Sequence, residues 1–229
     1  MTYAFSPHAI PSIPVAGSDL RFPVHRIHCI GRNYADHAAE MGASVDRAQP
    51  MFFMKPADAI VIDDGDVPYP SMTQELHHEV EMTVALARGG RDIPVAHALE
   101  HVYAYGIGLD LTRRDLQSIA KKRGHPWDTA KGFDHSAPVS ALRRVGDIGH
   151  PPGSARLTLD VNGERRQATE LSQMIFSVAE IIHELSKFYE LESGDLIFTG
   201  TPAGVALLQH GDRFHAELEG VATLSGRIL

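Results

Sequence analysis

Two acids within one apolar segment constrain this chain more than any other feature. Glu79 and Glu81 stand two residues apart in the segment 77–86, which otherwise has the composition of a β-strand. Because residues i and i+2 of a strand point to the same face, the two carboxylates must lie close together on one face of the sheet. Without a cation they would repel and one would take up a proton, whereas a divalent metal would hold both ionised. The alternative is a solvated edge strand that merely displays two acids.

A third acid ends a second apolar strand. The segment 101–109 is strand-like and stops at Asp110. If this strand lies beside the first, three carboxylates converge. Such an all-oxygen ligand set suits Mg²⁺ or Mn²⁺, with Ca²⁺ as an alternative and zinc less favoured. His77 would share the face of Glu79 and Glu81, so a histidine-containing site for a softer metal stays open.

Length and charge limit the classes of protein to which the chain can belong. With 229 residues it can form one core, and we expect a main domain over 21–229 after a short N-terminal extension over 1–20. The net charge of −8, from 29 acidic against 21 basic residues, argues against nucleic acid and anionic membranes as partners. The first twenty residues contain no Lys or Arg, so no secretory signal is predicted.

No apolar stretch approaches the roughly 20 residues of a membrane span. The single cysteine, Cys29, excludes an internal disulfide and is typical of a protein from a reducing cytoplasm, where we expect this one to act. Cys29 lies in the apolar strand 27–30, where packing is a commoner role than service as a nucleophile.

The distribution of strands and helices predicts a mixed α+β fold that is mainly β. Strands are indicated at 59–62 and 157–161, and Asn162-Gly163 is typical of a two-residue hairpin turn. Helices are predicted over roughly 112–122 and 177–189. Because strands outnumber helices without alternating with them, we expect a largely antiparallel sheet. The chain lacks a dinucleotide-binding glycine motif, a phosphate loop, a nucleophile elbow and a Cys-x-x-Cys motif.

A histidine and an acid form a second candidate constellation. His37 and Glu40 are three residues apart, which makes them neighbours on a helical turn. A carboxylate beside an imidazole orients the ring and raises its basicity, as a general base acting on water requires. An ordinary surface pair on a short helix is the alternative.

Six motifs in one order make the chain similar to the fumarylacetoacetate hydrolase family over residues 24 to 229. They are GRNY at 31–34 with His37 and Glu40, FMKP at 53–56, HEVE at 78–81, GLDLTRRDLQ at 108–117, AKGFD at 130–134 and FTGTP at 198–202. The segment 123–134 most resembles the fumarylpyruvate hydrolase branch. The family's longest members have a further N-terminal domain and another acidic metal ligand, for which this chain shows no match. Water is therefore expected to complete the metal's coordination.

The resemblance implies a fold, a cofactor and roles for particular residues. The family fold is a β-sandwich or β-roll, usually assembled as a homodimer. By resemblance, Mg²⁺ or Mn²⁺ would be bound by Glu79, Glu81 and Asp110, and water would be activated by the dyad His37 and Glu40. The residues that match the family's substrate contacts are Lys131, Gln117 and Thr201, and Lys131 would also stabilise an oxyanion.

The implied activity is hydrolysis of the C–C bond of an acylpyruvate, with fumarylpyruvate giving fumarate and pyruvate at the end of gentisate breakdown. Alternatives within the family are an oxaloacetate decarboxylase and a 2-hydroxy-dienoate isomerase, and a non-catalytic metal-binding β protein is a third. The intact His37–Glu40 pair argues against the last of these, because a structural ion needs no base.

Three features stay open at this level. The distal carboxylate of fumarylpyruvate requires a basic partner, and the sequence alone does not choose among Arg32, Arg113, Arg114, Lys121, Lys122 and Arg123. Trp127 is expected to pack, with a pocket wall as the alternative. Small residues dominate the segment 34–48, which predicts a lid that closes over the substrate, against a rigid surface turn.

Overall fold

The described residues fold into two main β-sheets, three two-stranded sheets and several helices. The computed structural model describes residues 2–40 and 50–229. Its strands are β1 Ser12–Pro14, β2 Arg21–Pro23, β3 Arg26–Gly31, β4 Met51–Lys55, β5 Ile60–Val61, β6 Leu76–His77, β7 Val80–Leu86, β8 Val102–Leu109, β9 Thr112–Arg113, β10 Ala137–Pro138, β11 Arg143–Arg144, β12 Arg156–Val161, β13 Glu164–Glu170, β14 Asp195–Phe198, β15 Arg213–Leu218 and β16 Ala222–Arg227.

The helices are short apart from two. They are α1 Ala35–Glu40, α2 Val95–Ala98, α3 Arg114–Arg123, α4 Asp128–Lys131, α5 Val145–Ile148 and α6 Val178–Phe188. Single 3₁₀ turns cover Ala57–Ala59, Leu99–His101 and Leu171–Gln173. None of the described helices has both the length and the apolar character needed to span a bilayer.

The larger sheet has the strand order β11-β8-β7-β14-β3-β4, and the smaller one β13-β12-β15-β16. Within the larger sheet only the β14–β3 pair is parallel, which confirms the predicted mixed and largely antiparallel architecture. Both faces of the larger sheet are covered. Val84 of β7 packs in a core shared with β12 and α6, and the next residue, Ala85, packs on the opposite face with Ile13 of β1. All seven residues of β7 are therefore buried.

The N-terminal segment contributes to that second face. β1 pairs antiparallel with β2, and Ile13 and Phe22 are buried against the larger sheet. A domain boundary at residue 20 stays a prediction. Cys29 is fully buried in β3, as expected for packing, and burial raises the pKa of its thiol.

Local sequence signals set several element boundaries. α6 begins after Ser177, whose hydroxyl and backbone form a capping box with Glu180, and this confirms the predicted helix 177–189 to within a residue at each end. Asn162 and Gly163 have φ of 53° and 80°, the positive values that a type I′ hairpin turn requires. α3 ends at Gly124 in the left-handed conformation with φ 64°.

Two predicted boundaries were wrong because pairing partners decided them. α3 was predicted from residue 112, but Thr112 and Arg113 form β9, which pairs with β6 and delays the helix to Arg114. The strand predicted over 59–62 is limited to β5, which pairs in parallel with β10 after a 3₁₀ turn.

Candidate active site

Three buried carboxylates meet where β7 begins and β8 ends. β7 and β8 are antiparallel with Glu81 opposite Gly108, and the backbone N–H of Asp110 donates to the carbonyl of Glu79 over 2.8 Å. One carboxylate oxygen from each of Glu79, Glu81 and Asp110 lies within 4.8 Å of the others. We call these residues the acid triad. Glu79 precedes β7 rather than lying within it, but the predicted convergence of the three acids is confirmed.

The alternative site with a histidine ligand is not supported. Within the described ranges 2–40 and 50–229, the group of potential metal ligands at this place contains the acid triad and not His77. His77 instead pairs with Thr112 between β6 and β9. Burial, together with the charge of Arg114 and the neighbouring His78, lowers the pKa of His77 to about 4.

Two members of the acid triad are held by buried cations. Nζ of Lys131, at the end of α4, donates to Oε2 of Glu79 over 2.7 Å and to Oδ2 of Asp110 over 2.6 Å. Arg114, the first residue of α3, donates to Oε1 of Glu79. Nζ of Lys55 lies 2.8 Å from Oδ1 of Asp110. Sequence reasoning missed Lys55, although it lies in the FMKP motif.

The third member, Glu81, has no cation of its own among the described residues. Its Oε2 accepts from the backbone N–H of Gly200 over 2.7 Å. Burial and the nearby charges of Asp110 and Glu79 raise the pKa of Glu81 well above its usual value. The pKa of Glu79 is instead lowered: burial acts to raise it, but Lys131 and Arg114 outweigh that effect.

This imbalance fits a divalent cation. A cation beside Glu81 would remove the repulsion that raises the pKa of this carboxyl group, and three carboxylates are the oxygen ligands that Mg²⁺ and Mn²⁺ prefer. Oδ1 of Asp110 is also fully buried, and within the part of the chain that the structure describes no donor is aligned to hydrogen-bond with it. The oxygens bound by Lys131 and Arg114 each keep a second lone pair.

A buried asparagine places the loop that contacts Glu81. The side chain of Asn33 donates to the carbonyls of Phe176 and Thr199 over 3.0 and 2.8 Å, and it accepts from the N–H of Phe176 over 2.7 Å. A Cβ on Gly200 would lie 2.6 Å from Cβ of Asn33, and Gly200 has φ +92°, so only glycine fits this close approach. Asn33 stands in the GRNY motif, but sequence reasoning gave it no role.

Two polar side chains at the site present hydrogen-bond donors whose orientation is fixed. Oε1 of Gln117 accepts from Nη1 of Arg114 over 2.6 Å, which leaves the amide Nε2 of Gln117 as a donor. Oγ1 of Thr201 accepts from Nε2 of Gln167 over 2.8 Å, which leaves the Thr201 hydroxyl proton as a donor. The site thus offers two donors to an anionic oxygen.

Gln167 connects β13 to the acid triad, and sequence reasoning missed it. Its Oε1 accepts from the N–H of Val80 over 3.1 Å and lies 2.9 Å from Nδ1 of His78, while its Nε2 also donates to the carbonyl of Pro202 over 2.9 Å. Gln167 is 1% exposed although both its neighbours in β13 are exposed. A glutamine in a polar strand carries no sequence signal of such burial.

His37 and Glu40 form a contact on α1. Nδ1 of His37 lies 3.5 Å from Oε2 of Glu40, which confirms that the two are neighbours on a helical turn. Glu40 also accepts from the backbone N–H of Gly204 over 3.2 Å. Burial lowers the pKa of His37, so the ring is neutral at pH 7 and can accept a proton. Residues 41–48 of the lid predicted over 34–48 lie outside the described ranges, so the lid stays a prediction.

One cavity joins these groups. It is lined by the acid triad and by most of the other residues proposed from sequence to bind or react, while Glu40 contacts His37 from outside the lining. The lining residues from that set are Arg32, His37, Glu79, Glu81, Asp110, Gln117, Lys131 and Thr201. Trp127 also lines the cavity, so the pocket-wall alternative for this residue is supported.

Comparison with known proteins identifies the family. Residues 26–229 match the family model described as the C-terminal domain of fumarylacetoacetate (FAA) hydrolase. The chain belongs to the fumarylacetoacetate hydrolase family. The resemblance based on six motifs is thereby confirmed, and so is the family's fold, since solved structures superpose closely.

Three relatives illustrate the family. The fumarylpyruvate hydrolase from Pseudomonas aeruginosa, solved in complex with Mn²⁺ and pyruvate, is 46% identical with a TM-score of 0.97, and the match covers 100% of this chain and 99% of that one. A provisionally assigned fumarylpyruvate hydrolase from Burkholderia cenocepacia is 51% identical with a TM-score of 0.93 and coverages of 100% and 98%. The mitochondrial oxaloacetate tautomerase FAHD1 of Rattus norvegicus is 43% identical over 88% of this chain and 90% of its own length.

Proposed function

We propose that this protein is a metal-dependent acylpyruvate hydrolase that converts fumarylpyruvate and water into fumarate and pyruvate. The observation that carries the proposal is the joining, in one buried cavity, of the acid triad with a neutral histidine backed by a carboxylate. The similarity over the full length to a fumarylpyruvate hydrolase with Mn²⁺ and pyruvate supports the choice of substrate.

Glu79, Glu81 and Asp110 would hold Mg²⁺ or Mn²⁺. When bound, the divalent cation supplies Lewis-acid stabilisation of the enolate oxygen that develops on the departing pyruvyl group. Lys131 keeps Glu79 and Asp110 in place, because its ammonium group donates to both. Since that group has three donors, one remains for the substrate.

The chain's own residues account for the proton transfers. His37, oriented by Glu40, takes a proton from the water that attacks the distal ketone. The oxyanion formed there accepts hydrogen bonds from Lys131 and from Nε2 of Gln117, and removal of one such donor typically costs about 3 kcal/mol. The C–C bond then breaks, fumarate is released, and His37 returns the proton to the carbon of the pyruvate enolate.

Thr201 would hold the pyruvyl end. Its hydroxyl proton is free to donate because Gln167 occupies the acceptor side of the oxygen. A donor at this place matches an oxygen of the pyruvyl carboxylate and would resist slippage of the substrate along the cavity. Assembly as a homodimer and a place at the end of gentisate breakdown stay predictions from the resemblance, and a cytoplasmic location stays a prediction from the single cysteine.

Oxaloacetate tautomerisation is a second candidate, favoured by the 43% identity to the rat tautomerase. It moves a proton between carbon and oxygen and breaks no C–C bond. Decarboxylation of oxaloacetate and isomerisation of 2-hydroxy-dienoates, the other family activities, likewise need no attacking water.

The decisive experiment is a panel of substrates assayed with Mg²⁺ and with Mn²⁺. Acylpyruvates, oxaloacetate and a 2-hydroxy-dienoate are followed by loss of enol absorbance and, separately, by release of pyruvate. Equimolar fumarate and pyruvate from fumarylpyruvate, at a kcat/KM above that for oxaloacetate, is the expected result. Faster enol–keto exchange of oxaloacetate without release of pyruvate from any acylpyruvate would assign the tautomerase activity instead.

A further inference from the structure

The cavity has a buried floor and an exposed mouth with different chemistry. The floor contains the acid triad and Lys131, all of which are buried. Lys121 and Trp127 line the same cavity but are exposed and half-buried respectively, so they lie at the mouth. A substrate longer than its pyruvyl group must therefore extend from the floor toward these residues.

One face of α3 connects the two levels. Arg114, Gln117 and Lys121 are spaced i, i+3 and i+7, which places them on the same side of the helix, and all three line the cavity. Arg114 contacts Glu79 at the floor. With a rise of about 1.5 Å per residue, Lys121 stands roughly 10 Å further along the helix axis. Gln117 lies between them.

Aromatic rings form a wall along the same path. Nζ of Lys131 lies 4.9 Å from the ring centroid of Phe53, whose ring is 6.0 Å from that of Trp127. Nζ of Lys121 lies 5.2 Å from the Trp127 ring. These two aromatic rings, tilted 56° to each other, line the path between two ammonium groups, which suits an unsaturated chain with an anionic oxygen at each end.

The contacts of the six candidate bases leave two for the distal carboxylate. Arg114 is bound to Glu79, while Arg113 donates to the carbonyl of Thr129 and lies 4.4 Å from the ring of Phe133. Lys122 and Arg123 do not line this cavity within the described residues. Arg32 and Lys121 remain, both lining it.

Within the described residues, neither remaining base forms an ion pair with an acidic side chain. Over residues 2–40 and 50–229 no ion pair joins Arg32 or Lys121 to a carboxylate. Burial, together with the nearby charges of Arg114 and Arg32, lowers the pKa of Lys121. Like charges gathered without counter-charge make a binding place for an anion.

We propose that Lys121, with Arg32 beside it, binds the second carboxylate of an extended dicarboxylic acylpyruvate and thereby selects fumarylpyruvate over acylpyruvates that end in an alkyl group. The proposal rests on the proposed function and names the specificity of the same site. Oxaloacetate, whose two carboxylates are closer together than those of fumarylpyruvate, extends less far from the floor. Its turnover should therefore depend less on Lys121.

The test measures affinity with ligands that cannot be cleaved. 2-Oxoheptanedioate and 2-oxoheptanoate both lack the ketone that water attacks, and they differ in the distal carboxylate. Binding to the Mn²⁺-loaded protein is measured by calorimetry for wild type and for Lys121→Met, Lys121→Arg and Lys122→Met. Lys121→Met should weaken binding of the dicarboxylate about tenfold while leaving the monocarboxylate unchanged, since a hydrogen bond to a charged group is lost.

The two other variants are controls for charge and for position. Lys121→Arg should keep most of the preference for the dicarboxylate, and Lys122→Met, on the same exposed helix end, should behave as wild type. Equal losses for both ligands in Lys121→Met, or no loss for either, would overturn the proposal. If wild type cleaves no acylpyruvate, the proposed function fails, yet the ratio of the two affinities still decides the role of Lys121.

Discussion

The two ends of strand β14 each place a buried carboxylate among charges, with opposite results. At its start, the carboxylate of Asp195 accepts from Nη2 and Nε of Arg26 over 2.7 and 3.0 Å and from the N–H of Glu192 over 2.9 Å. Just past its other end, Gly200 gives Glu81 a single backbone donor. Asp195 is saturated with donors, whereas Glu81 stands beside two more acids.

The pKa values follow these surroundings. Burial acts to raise the pKa of Asp195, but the nearby His28 ring, whose Nε2 lies 3.6 Å from Oδ2, and the hydrogen bonds from Arg26 lower it well below its usual range. Burial and the neighbouring acids raise the pKa of Glu81. Asp195, a structural carboxylate, has its hydrogen-bond and ion-pair partners within the chain. Glu81 has too little positive charge around it, which indicates a ligand-binding site. The predictions below use this contrast.

Replacement of the functional carboxylate should have the largest effect on activity. Glu81→Gln is expected to abolish hydrolysis and to weaken Mn²⁺ binding sharply, because the cation loses one of three negative ligands. The fold should survive, since an amide oxygen can still accept from Gly200 and the repulsion among the acids falls. Assays of pyruvate release and calorimetric titration with Mn²⁺ check this. Normal Mn²⁺ affinity in the variant would remove Glu81 from the ligand set.

Removal of the proposed base, His37, should lower hydrolysis more than it lowers other reactions at the same active site. His37→Ala is expected to lower hydrolysis by about 10²- to 10⁴-fold, the range for general-base catalysis, with Mn²⁺ affinity near that of wild type. Decarboxylation of oxaloacetate needs no attacking water and should fall less. Steady-state kinetics on both substrates test the assignment, which equal losses of the two activities would contradict.

The structural carboxylate should show the reverse pattern. Asp195→Asn, the matched amide replacement, is expected to lower the free energy of unfolding by about 3 kcal/mol, because it breaks the ion pair between the buried Asp195 carboxylate and the partly exposed Arg26. Below the unfolding transition its kcat and Mn²⁺ affinity should equal those of wild type. Urea unfolding monitored by circular dichroism measures the change. An Asp195→Asn variant that is as stable as wild type, or one that is folded but inactive, would contradict the structural role of Asp195.

The pH dependence of stability should have opposite signs for the two acids in chelated protein. The lowered pKa of Asp195 stabilises the fold above the ordinary carboxyl pKa of about 4, and this contribution is lost as the pH falls. The raised pKa of Glu81 makes the unfolded state bind fewer protons, so stability declines as the pH rises above about 4. At pH 7, Glu81→Gln should therefore be more stable than wild type and Asp195→Asn less stable. Both differences should shrink toward pH 3, as unfolding curves at several pH values would show.

The smallest expected effect concerns a residue that supports the site from a distance. Gln167→Leu leaves Thr201 without its donor and Val80 without an acceptor. We expect KM for fumarylpyruvate to rise about tenfold with kcat reduced less, because the lost hydrogen bonds orient Thr201 rather than the reacting atoms. Gln167→Glu, which keeps the acceptor for Val80, should lie between Gln167→Leu and wild type. A change in kcat alone would contradict a positioning role.

The parts of the fold that could be predicted depend on neighbours in sequence. The turn at Asn162-Gly163 and the helix that begins after Ser177 follow from local sequence patterns, so both were predicted well. The meeting of the acid triad was predictable because strand periodicity and the end of a buried strand restrict where acids can lie. The family resemblance supplied further site residues, including Gln117 and Thr201.

The rest depends on contacts between segments far apart in the chain. Asn33 bonds to residues 143 and 166 positions away, and Gln167 links β13 to the start of β7, so neither role has a local signature. Thr112 joins a strand rather than a helix because β6 offers a partner. The choice of Lys121 and Arg32 among six bases required the cavity itself.

Pyruvate release from fumarylpyruvate, before and after thorough chelation, tests the central claim most directly. The account predicts equimolar fumarate and pyruvate with Mn²⁺ or Mg²⁺ present, loss of the activity after chelation, and recovery when either ion is restored. Full activity in the chelated sample, or no pyruvate under any condition, would contradict a metal-dependent acylpyruvate hydrolase built on Glu79, Glu81 and Asp110.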